Sequence, residues 1–276
     1  MGPTQRPAQG STVEQSVVNW SEDLEEFHEE SVRDHPLEML TRQTALSKLD
    51  ALDPAATIVE VGCSTGYMLE DLRAAYPAAT LVGFDLIASG LHKAHAALPD
   101  CVVAQADARE LPLADRLADA VVSINLLEHV IDDQRVLDEI KRVLRPGATA
   151  VLVVPVGPGL YDYYDRFLHH ERRYARRELA QKARRVGFHV ETDMYLGSLI
   201  YPAFWVLKKR NRLRFDHLTG SDLEERVRHD FDDTKESPLV GAACAMERWL
   251  LQHGVRLPLG VRGLTVVRRP HEVAVS

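Results

Sequence analysis

The sequence predicts an α/β fold, a mostly parallel sheet with helices on both faces, and three observations predict it. Short apolar, β-branched runs alternate with helical patterns from Thr57 to Pro155, which is the spacing of βαβ units. The first run, Thr57 to Val61, ends in a turn of small residues, Gly62-Cys63-Ser64-Thr65-Gly66. Strand, small-residue turn and helix in that order is how an open α/β sheet holds a nucleotide, because glycines let backbone approach the ligand and helix N–H groups face it. The second run, Thr80 to Asp85, ends in a carboxylate 19 positions past Gly66. In nucleotide-binding folds that carboxylate accepts hydrogen bonds from ribose hydroxyls.

Composition is ordinary for a globular chain: 276 residues, 45% hydrophobic and 27% charged, enough for one large domain or for one domain with an appendage. A formal charge of -8 disfavours broad nucleic-acid binding. Cys63, Cys101 and Cys244 lack metal-ligand spacing and suit a reducing, cytoplasmic setting. The first residues, MGPTQRPAQGSTVEQS, lack the apolar core of a signal peptide. Residues 1–18 are expected to form a disordered tail.

Residues 19–50 read as a helical cap, broken near Pro36. Its acidic residues, from Glu22 to Glu30, fit a solvated helix face. Trp20, Phe27 and His28 are candidates to reach into the cleft. The helix after Gly66 carries Tyr67, Met68, Leu69 and Leu72 at helical spacing, with Glu70 and Asp71 opposite. Leu86 to Leu98 is the next helix, and Cys101 to Asp107 the third strand. Ala118 to Asn125 is the fourth strand, leading into Leu126-Leu127-Glu128-His129-Val130. Asp133 to Leu144 is an amphipathic helix stopped by Arg145-Pro146-Gly147, a breaker. Thr149 to Pro155 is the fifth strand.

Three families make a turn like that of residues 62–66, and spacing separates them. A dinucleotide fingerprint is G-x-G-x-x-G, whereas here the small residues Gly62, Ser64 and Gly66 are spaced two and two. The same residues fit the G-x-S-x-G elbow of α/β-hydrolases. Upstream, however, stand only a polar tail and a helix, with no oxyanion-loop motif. With Glu60 two residues before Gly62, the turn resembles the E/D-x-G-x-G-x-G motif of class I S-adenosylmethionine-dependent methyltransferases. Ser64 stands where that family more often has glycine.

The resemblance continues at Asp85, at Asp107-Ala108 with Leu111-Pro112-Leu113, at Leu127-Glu128-His129-Val130 and at Leu144-Arg145-Pro146-Gly147. It looks most like the small-molecule branch that includes the ubiquinone and menaquinone biosynthesis methyltransferases, and it runs from Thr57 to Gly187. It implies a Rossmann-like, seven-stranded, mostly parallel sheet. Phe188 to Leu196 is then the sixth strand and Gly263 to Arg269 the last. In the family these two pair as an antiparallel hairpin, but residues 197–261 lie between them, far beyond a hairpin loop. They are expected to be a helical insertion and a substrate lid. The divisions are therefore 51–196 for the cofactor-binding core, 197–261 for the insertion and 262–276 for the last strand and tail.

The insertion opens with an apolar run, Leu199 to Leu207, too short for the roughly 20 residues that span a bilayer. Lys208, Lys209, Arg210, Arg212 and Arg214 follow. The run reads as a buried helix with a solvated basic end, or as an amphipathic lid facing membrane or lipid. An acidic stretch, Asp222 to Glu236, precedes a helix from Ala242 to His253.

The resemblance implies S-adenosylmethionine as cofactor, S-adenosylhomocysteine as product and no metal. Glu60, Gly62, Ser64 and Gly66 would shape the methionine and ribose site. Asp85 and Leu86 would flank the ribose, Asp107 and Ala108 the adenine edge, and Asn125 the reacting methyl. Methyl transfer from a sulfonium needs in-line alignment above all, and a base if the acceptor must lose a proton. His129 is the base candidate, or else a histidine that holds the Glu128 loop. Tyr161, Tyr164, His169 and Tyr201 are candidates for acceptor contact. His169-His170-Glu171 is a poor metal cluster, because adjacent residues seldom converge on one ion. The acceptor is expected to be a small or lipid-like molecule, with no nucleic acid partner. Peripheral membrane contact and a homodimer are further expectations. A cofactor binder without turnover, and a nucleotide-dependent oxidoreductase, are the alternatives.

Overall fold

The computed structural model describes Leu24 and Glu25, residues 32–49 and residues 52–271. The expected tail at 1–18 and the aromatics Trp20, Phe27 and His28 lie outside the described residues. The first labelled helix, α1 (Pro36–Leu46), starts at the expected break, with proline in its first turn and His35 Nδ1 accepting the Leu37 N–H at 3.2 Å. Proline suits that place because its missing N–H would be unpaired there anyway.

Seven strands form one sheet in the order β3-β2-β1-β4-β5-β7-β6. These are β1 (Thr57–Val61), β2 (Thr80–Asp85), β3 (Val102–Gln105), β4 (Ala118–Ile124), β5 (Leu144–Pro155), β6 (His189–Leu196) and β7 (Arg262–Arg268). The first five run parallel, and β7 is antiparallel to both β5 and β6. The fold is the expected seven-stranded, mostly parallel, Rossmann-like sheet. Helices α2 (Tyr67–Ala75), α3 (Ala88–Ala97), α4 (Asp133–Val143), α5 (Tyr163–Phe167) and α6 (Glu178–Val186) fill the connections. Alternate residues of the central strands enter two cores: Val59, Val61, Val121 and Leu152 on one face, Ile58, Ala120, Val122 and Val151 on the other. Burial on both faces is why these strands are apolar throughout and not alternating.

Several expected bounds move. The third strand is shorter than Cys101 to Asp107, because Asp107 turns back to accept the Arg109 N–H at 2.9 Å. The second crossover helix begins at Ala88 and not Leu86, because Asp85 accepts the Ile87 N–H at 3.0 Å and keeps the chain extended there. The Arg-Pro-Gly breaker ends α4 as expected but lies within β5, which starts at Leu144, paired with Ala118 before a register shift.

Between β6 and β7 lie α7 (Tyr201–Phe215), α8 (Gly220–Lys235) and α9 (Pro238–Gln252). The last begins before the expected Ala242, because Ser237 caps it through the Val240 N–H. Leu37 and Leu40 of α1 pack with Cys244 of α9 and with Val261. Tyr163 of α5 packs with Val227 and Phe231 of α8. No helix of the described residues is long and apolar enough to cross a membrane.

Candidate functional site

The carboxyl ends of β1, β2, β4 and β5, together with the loop after β3, line one cavity of about 310 Å³. In open α/β sheets ligands bind at that edge, and the volume is at the lower end of the roughly 300–1,000 Å³ usual for ligand pockets. Glu60, Gly62 and Ser64 line it from the first turn, with Asp85 and Leu86 from the end of β2. Asp107, Ala108 and Asn125 complete that part. Gly66 is the helix cap behind the lining, with φ of 88°. Gly62 is also left-handed at 82°, and so is Ser64 at 46°, where the resembled family prefers glycine. Side chains pay for that conformation, and here Ser64 is held by bonds at two points. Its N–H donates to Asp85 Oδ2 at 2.9 Å, and its hydroxyl to Glu25 Oε1 at 2.5 Å.

Glu25, the one acidic residue of the cap's run among the described residues, departs from the expected solvated face. It is 1% exposed, lines the cavity and sits against Gly90. The spacing of the acidic run gave no sign of this, since a run of charges does not mark which carboxylate has a buried partner. Glu60 is 3% exposed, and burial, then the Asp85 charge, push its carboxyl well above the usual range. Burial also raises Asp85, against the N–H groups of Ile87 and Ser64. Asp107 is held below the usual range by the Arg109 guanidinium, which grips it at 2.6 Å.

The other end of the cavity is built from the turn after β4, the segment after β5, and the insertion. Leu127–His129 is one 3₁₀ turn that buries Glu128 and His129. Neither carboxylate oxygen of Glu128 has a hydrogen-bond partner, and burial pushes its pKa up to about 8. The segment after β5 folds back over this turn, with the Glu171 N–H donating to the Glu128 carbonyl at 2.8 Å. That bond brings the His170 ring to the His129 ring, edge to face, with centroids 4.7 Å apart. His170 Nδ1 lies 2.8 Å from Asp165 Oδ1. Burial raises the Asp165 carboxyl, but Arg173, His170 and Lys208 outweigh it and hold the group below its ordinary value. Asp165 is therefore ionised and can only accept, so His170 donates from Nδ1.

Lys208 enters this end from α7. Its ammonium donates to Asp162 at 2.6 Å, lies 3.8 Å from Asp165, and stands over the rings of Tyr164 and Phe204. Arg262 pairs with Glu38 of α1 through both guanidinium nitrogens. The apolar part of the wall includes Phe204, Leu207 and Phe231 of the insertion. The first of the five basic residues that follow the apolar run is thus paired inside the cavity, not solvated. Arg212 is also engaged, donating to the carbonyls of Gly159 and Tyr161.

Of the residues expected to touch the acceptor, Tyr164 lines the cavity. Tyr161, His169 and Tyr201 do not. The Tyr161 hydroxyl donates to the His170 carbonyl at 2.8 Å, and so braces the loop. His169 is exposed, with φ of 52°, and Tyr201 packs against α1 and α9. The structure also breaks up the adjacent trio His169-His170-Glu171, since His169 and Glu171 are exposed while His170 turns inward. Sequence reasoning gave no site role to Glu25, Asp165, Arg173 and Arg262, and it noted His170 and Lys208 without placing them in the cavity. A buried pair is the one signal they share, and pairing across the fold leaves no mark on local spacing.

Residues 59–152 match the family described as "Methyltransferase domain". The chain is 33% identical over 129 residues to a ubiquinone/menaquinone biosynthesis C-methyltransferase from Syntrophotalea carbinolica, covering 42% of this chain and 53% of that protein. It is 30% identical over 166 residues to a demethylmenaquinone methyltransferase from Corynebacterium urealyticum, covering 58% and 66%. The chain spans about half the length of the first curated relatives it matches. A solved geranyl diphosphate methyltransferase in complex with S-adenosylmethionine superposes with a TM-score of 0.59 at 16% identity, covering 86% of this chain and 87% of that one. At that identity the likeness is one of fold.

Proposed function

We propose that this chain, which carries a class I S-adenosylmethionine-dependent methyltransferase domain, moves a methyl group from that cofactor to a small or lipid-like acceptor. The observation that carries the reading is the single cavity shared by the cofactor-type turn at one end and an apolar, histidine-bearing end at the other. Glu60, Gly62, Ser64, Asp85 and Leu86 would hold the methionine and ribose parts, with Gly66 shaping the turn. Asp107 and Ala108 would hold the adenine edge, and Asn125 would stand beside the sulfonium. The sulfonium supplies an already activated methyl group, so the protein's task is alignment and exclusion of water.

The acceptor would enter between Tyr164, Phe204, Leu207 and Phe231, an apolar wall with polar groups at one corner, the usual form of a small-molecule pocket. Residues 197–261 act in this reading as the substrate lid. The acceptor's proton would pass to His129, which lies at that corner and is 9% exposed. The domain match and the quinone-type relatives support an acceptor of a quinone or other natural-product kind.

Calorimetry with S-adenosylhomocysteine and with NAD, followed by a mass-shift screen of cell extracts for a gain of one methylene, tests the proposal. Binding of S-adenosylhomocysteine, no heat with NAD and a methylated product are expected. Binding of NAD alone would overturn it.

A further inference from the structure

We infer that Glu128, His129 and His170 bind a divalent first-row transition metal at the acceptor end of the cavity. The three residues each offer a ligand atom, and those atoms lie within 4.8 Å of one another. An ion sits about 2.0–2.2 Å from imidazole nitrogen or carboxylate oxygen, so three ligands that share it stand roughly 3.3–3.8 Å from each other. Side-chain rotation that draws the atoms together by about 1 Å closes the triangle. All three residues line the cavity, so the remaining coordination positions are open to a ligand.

Two further observations point to an ion. The Glu128 side chain is 1% exposed, and neither of its oxygens has a hydrogen-bond partner. A buried carboxyl group in that state stays protonated with its hydrogen bonds unmet, and a cation bound there would release the proton and satisfy both oxygens. Its basic neighbours are committed elsewhere: Arg173 to Asp165, Arg262 to Glu38, Lys208 to Asp162. Among the described residues Glu128 is the acidic group of this corner with no direct ion pair, and the Arg262 and Arg173 charges act on it only from their places on other partners.

His170 is also prepared from behind. Asp165, 0% exposed, accepts its Nδ1–H at 2.8 Å and the Arg173 Nε–H at 2.7 Å. The bond fixes the tautomer that carries its lone pair on Nε2. Metal-ligating histidines almost always donate their other ring N–H in this way, which sets ring orientation and raises basicity. Two imidazoles and one carboxylate suit zinc, iron, cobalt or manganese and not calcium or magnesium, which prefer all-oxygen sites. Bound there, the ion would hold an acceptor through oxygen and polarise it. His129 would then orient the acceptor through the metal in place of taking its proton. This last point rests on the methyltransferase reading; metal binding does not.

The test is titration of chelator-treated full-length protein with cobalt(II), followed by visible absorption. One cobalt per chain with a ligand-field band is expected. Glu128→Gln and His170→Gln should each weaken binding at least tenfold. Asp165→Asn, an outer partner, should weaken it about 10–100-fold. Thermal melts of each variant show that the fold is kept, and Glu128→Gln, nearly isosteric, serves where the others are destabilised. S-adenosylhomocysteine affinity, measured in parallel, should stay unchanged in Glu128→Gln. No cobalt band in the wild type, or equal cobalt binding by wild type and Glu128→Gln, would overturn the inference. Cobalt binding without S-adenosylhomocysteine binding would sustain the metal site and overturn the methyltransferase reading.

Discussion

The Asp85 carboxylate accepts the Ser64 backbone N–H at 2.9 Å, and its other oxygen accepts that of Ile87 at 3.0 Å. The residue at the end of β2 is thus a strut for the cofactor-type turn after β1, whatever else it binds. Ser64 needs such a strut, because a non-glycine residue at φ of 46° is held there only by its surroundings.

Asp85→Ala should therefore weaken S-adenosylhomocysteine binding by two routes, loss of the ribose acceptor and loosening of the turn. A hydrogen bond to a charged group contributes about 1.5–3 kcal/mol, so a tenfold to hundredfold loss is expected from the first route alone. Asp85→Asn, which can still accept one of the two N–H groups, should lose less. Calorimetry on both variants checks the order, and an unchanged dissociation constant in folded Asp85→Ala would remove the residue from the site.

Gly66→Ala should damage the same turn from the other side. Gly66 has φ of 88°, and an added Cβ would meet the Ala94 Cβ at 2.9 Å and its Cα at 3.3 Å. Left-handed strain on a side-chain-bearing residue costs on the order of 1–3 kcal/mol, and the clash adds to it. Adding Ala94→Gly should recover the part due to the clash and leave the part due to φ. Denaturant melts of the single and double variants separate the two contributions.

Stability should fall in mild acid through His35. Burial, opposed by Glu38 and reinforced by Arg262 and Lys235, lowers its pKa from 6.5 to about 4. The folded protein keeps the ring neutral where the unfolded chain would protonate it. Stability from this residue is fully present above about pH 6.5 and is lost as pH falls toward about 4. The ceiling is about 3 kcal/mol, at roughly 1.4 kcal/mol per pKa unit. His35→Asn keeps a good helix cap without a titrating group. Its stability between pH 4 and 6.5 should vary less than that of the wild type, as measured by urea unfolding.

Strand bounds were legible where glycine or an acid punctuates an apolar run. Thr57–Val61 and Thr80–Asp85 stand where the spacing places them. The third strand and the helix after β2 moved because Asp107 and Asp85 accept backbone N–H groups nearby. That the residues proposed for the cofactor line one cavity was legible for a related reason: they sit at strand ends, one per βα unit, and sequence order preserves that. The other end of the cavity was not legible. His170 meets Glu128 because a loop folds back on a bond from the Glu171 N–H, a contact across more than forty positions with no local pattern. Glu25 was hidden among acidic neighbours for the same reason.

His129→Gln should bind S-adenosylhomocysteine as the wild type does and turn over more slowly. Loss of a general base typically costs about 10²–10⁴-fold in rate. If His129 acts as a base, the variant should also lose the acidic limb of the pH–rate profile. If it acts as a metal ligand, cobalt binding should fall with the rate. Full activity in the folded variant would leave His129 with a role in holding the Glu128 loop.

The insertion is best tested by single residues, because Lys208 ties it into the core. Its ammonium, 8% exposed as a residue, is the partner of Asp162, itself 2% exposed. Removing residues 197–261 would strand Asp162 and uncover α1, so loss of folding there would say nothing about acceptor binding. Lys208→Met keeps length and apolar bulk but leaves the carboxylate unpaired, and breaking one side of a buried pair costs about 3–5 kcal/mol. That variant should be clearly destabilised in urea. Phe204→Ala is the cleaner probe of the lid. Phe204 lines the cavity from α7, is half-buried, and shares its ring face with Lys208 and Arg173. Truncating it should remove apolar wall at the acceptor end while leaving the turn at residues 62–66 untouched. The acceptor KM should rise, by roughly tenfold if about 1.4 kcal/mol of contact is lost, with S-adenosylhomocysteine affinity unchanged. A rise in both would place the segment in cofactor closure, and a rise in neither would leave residues 197–261 a structural cover.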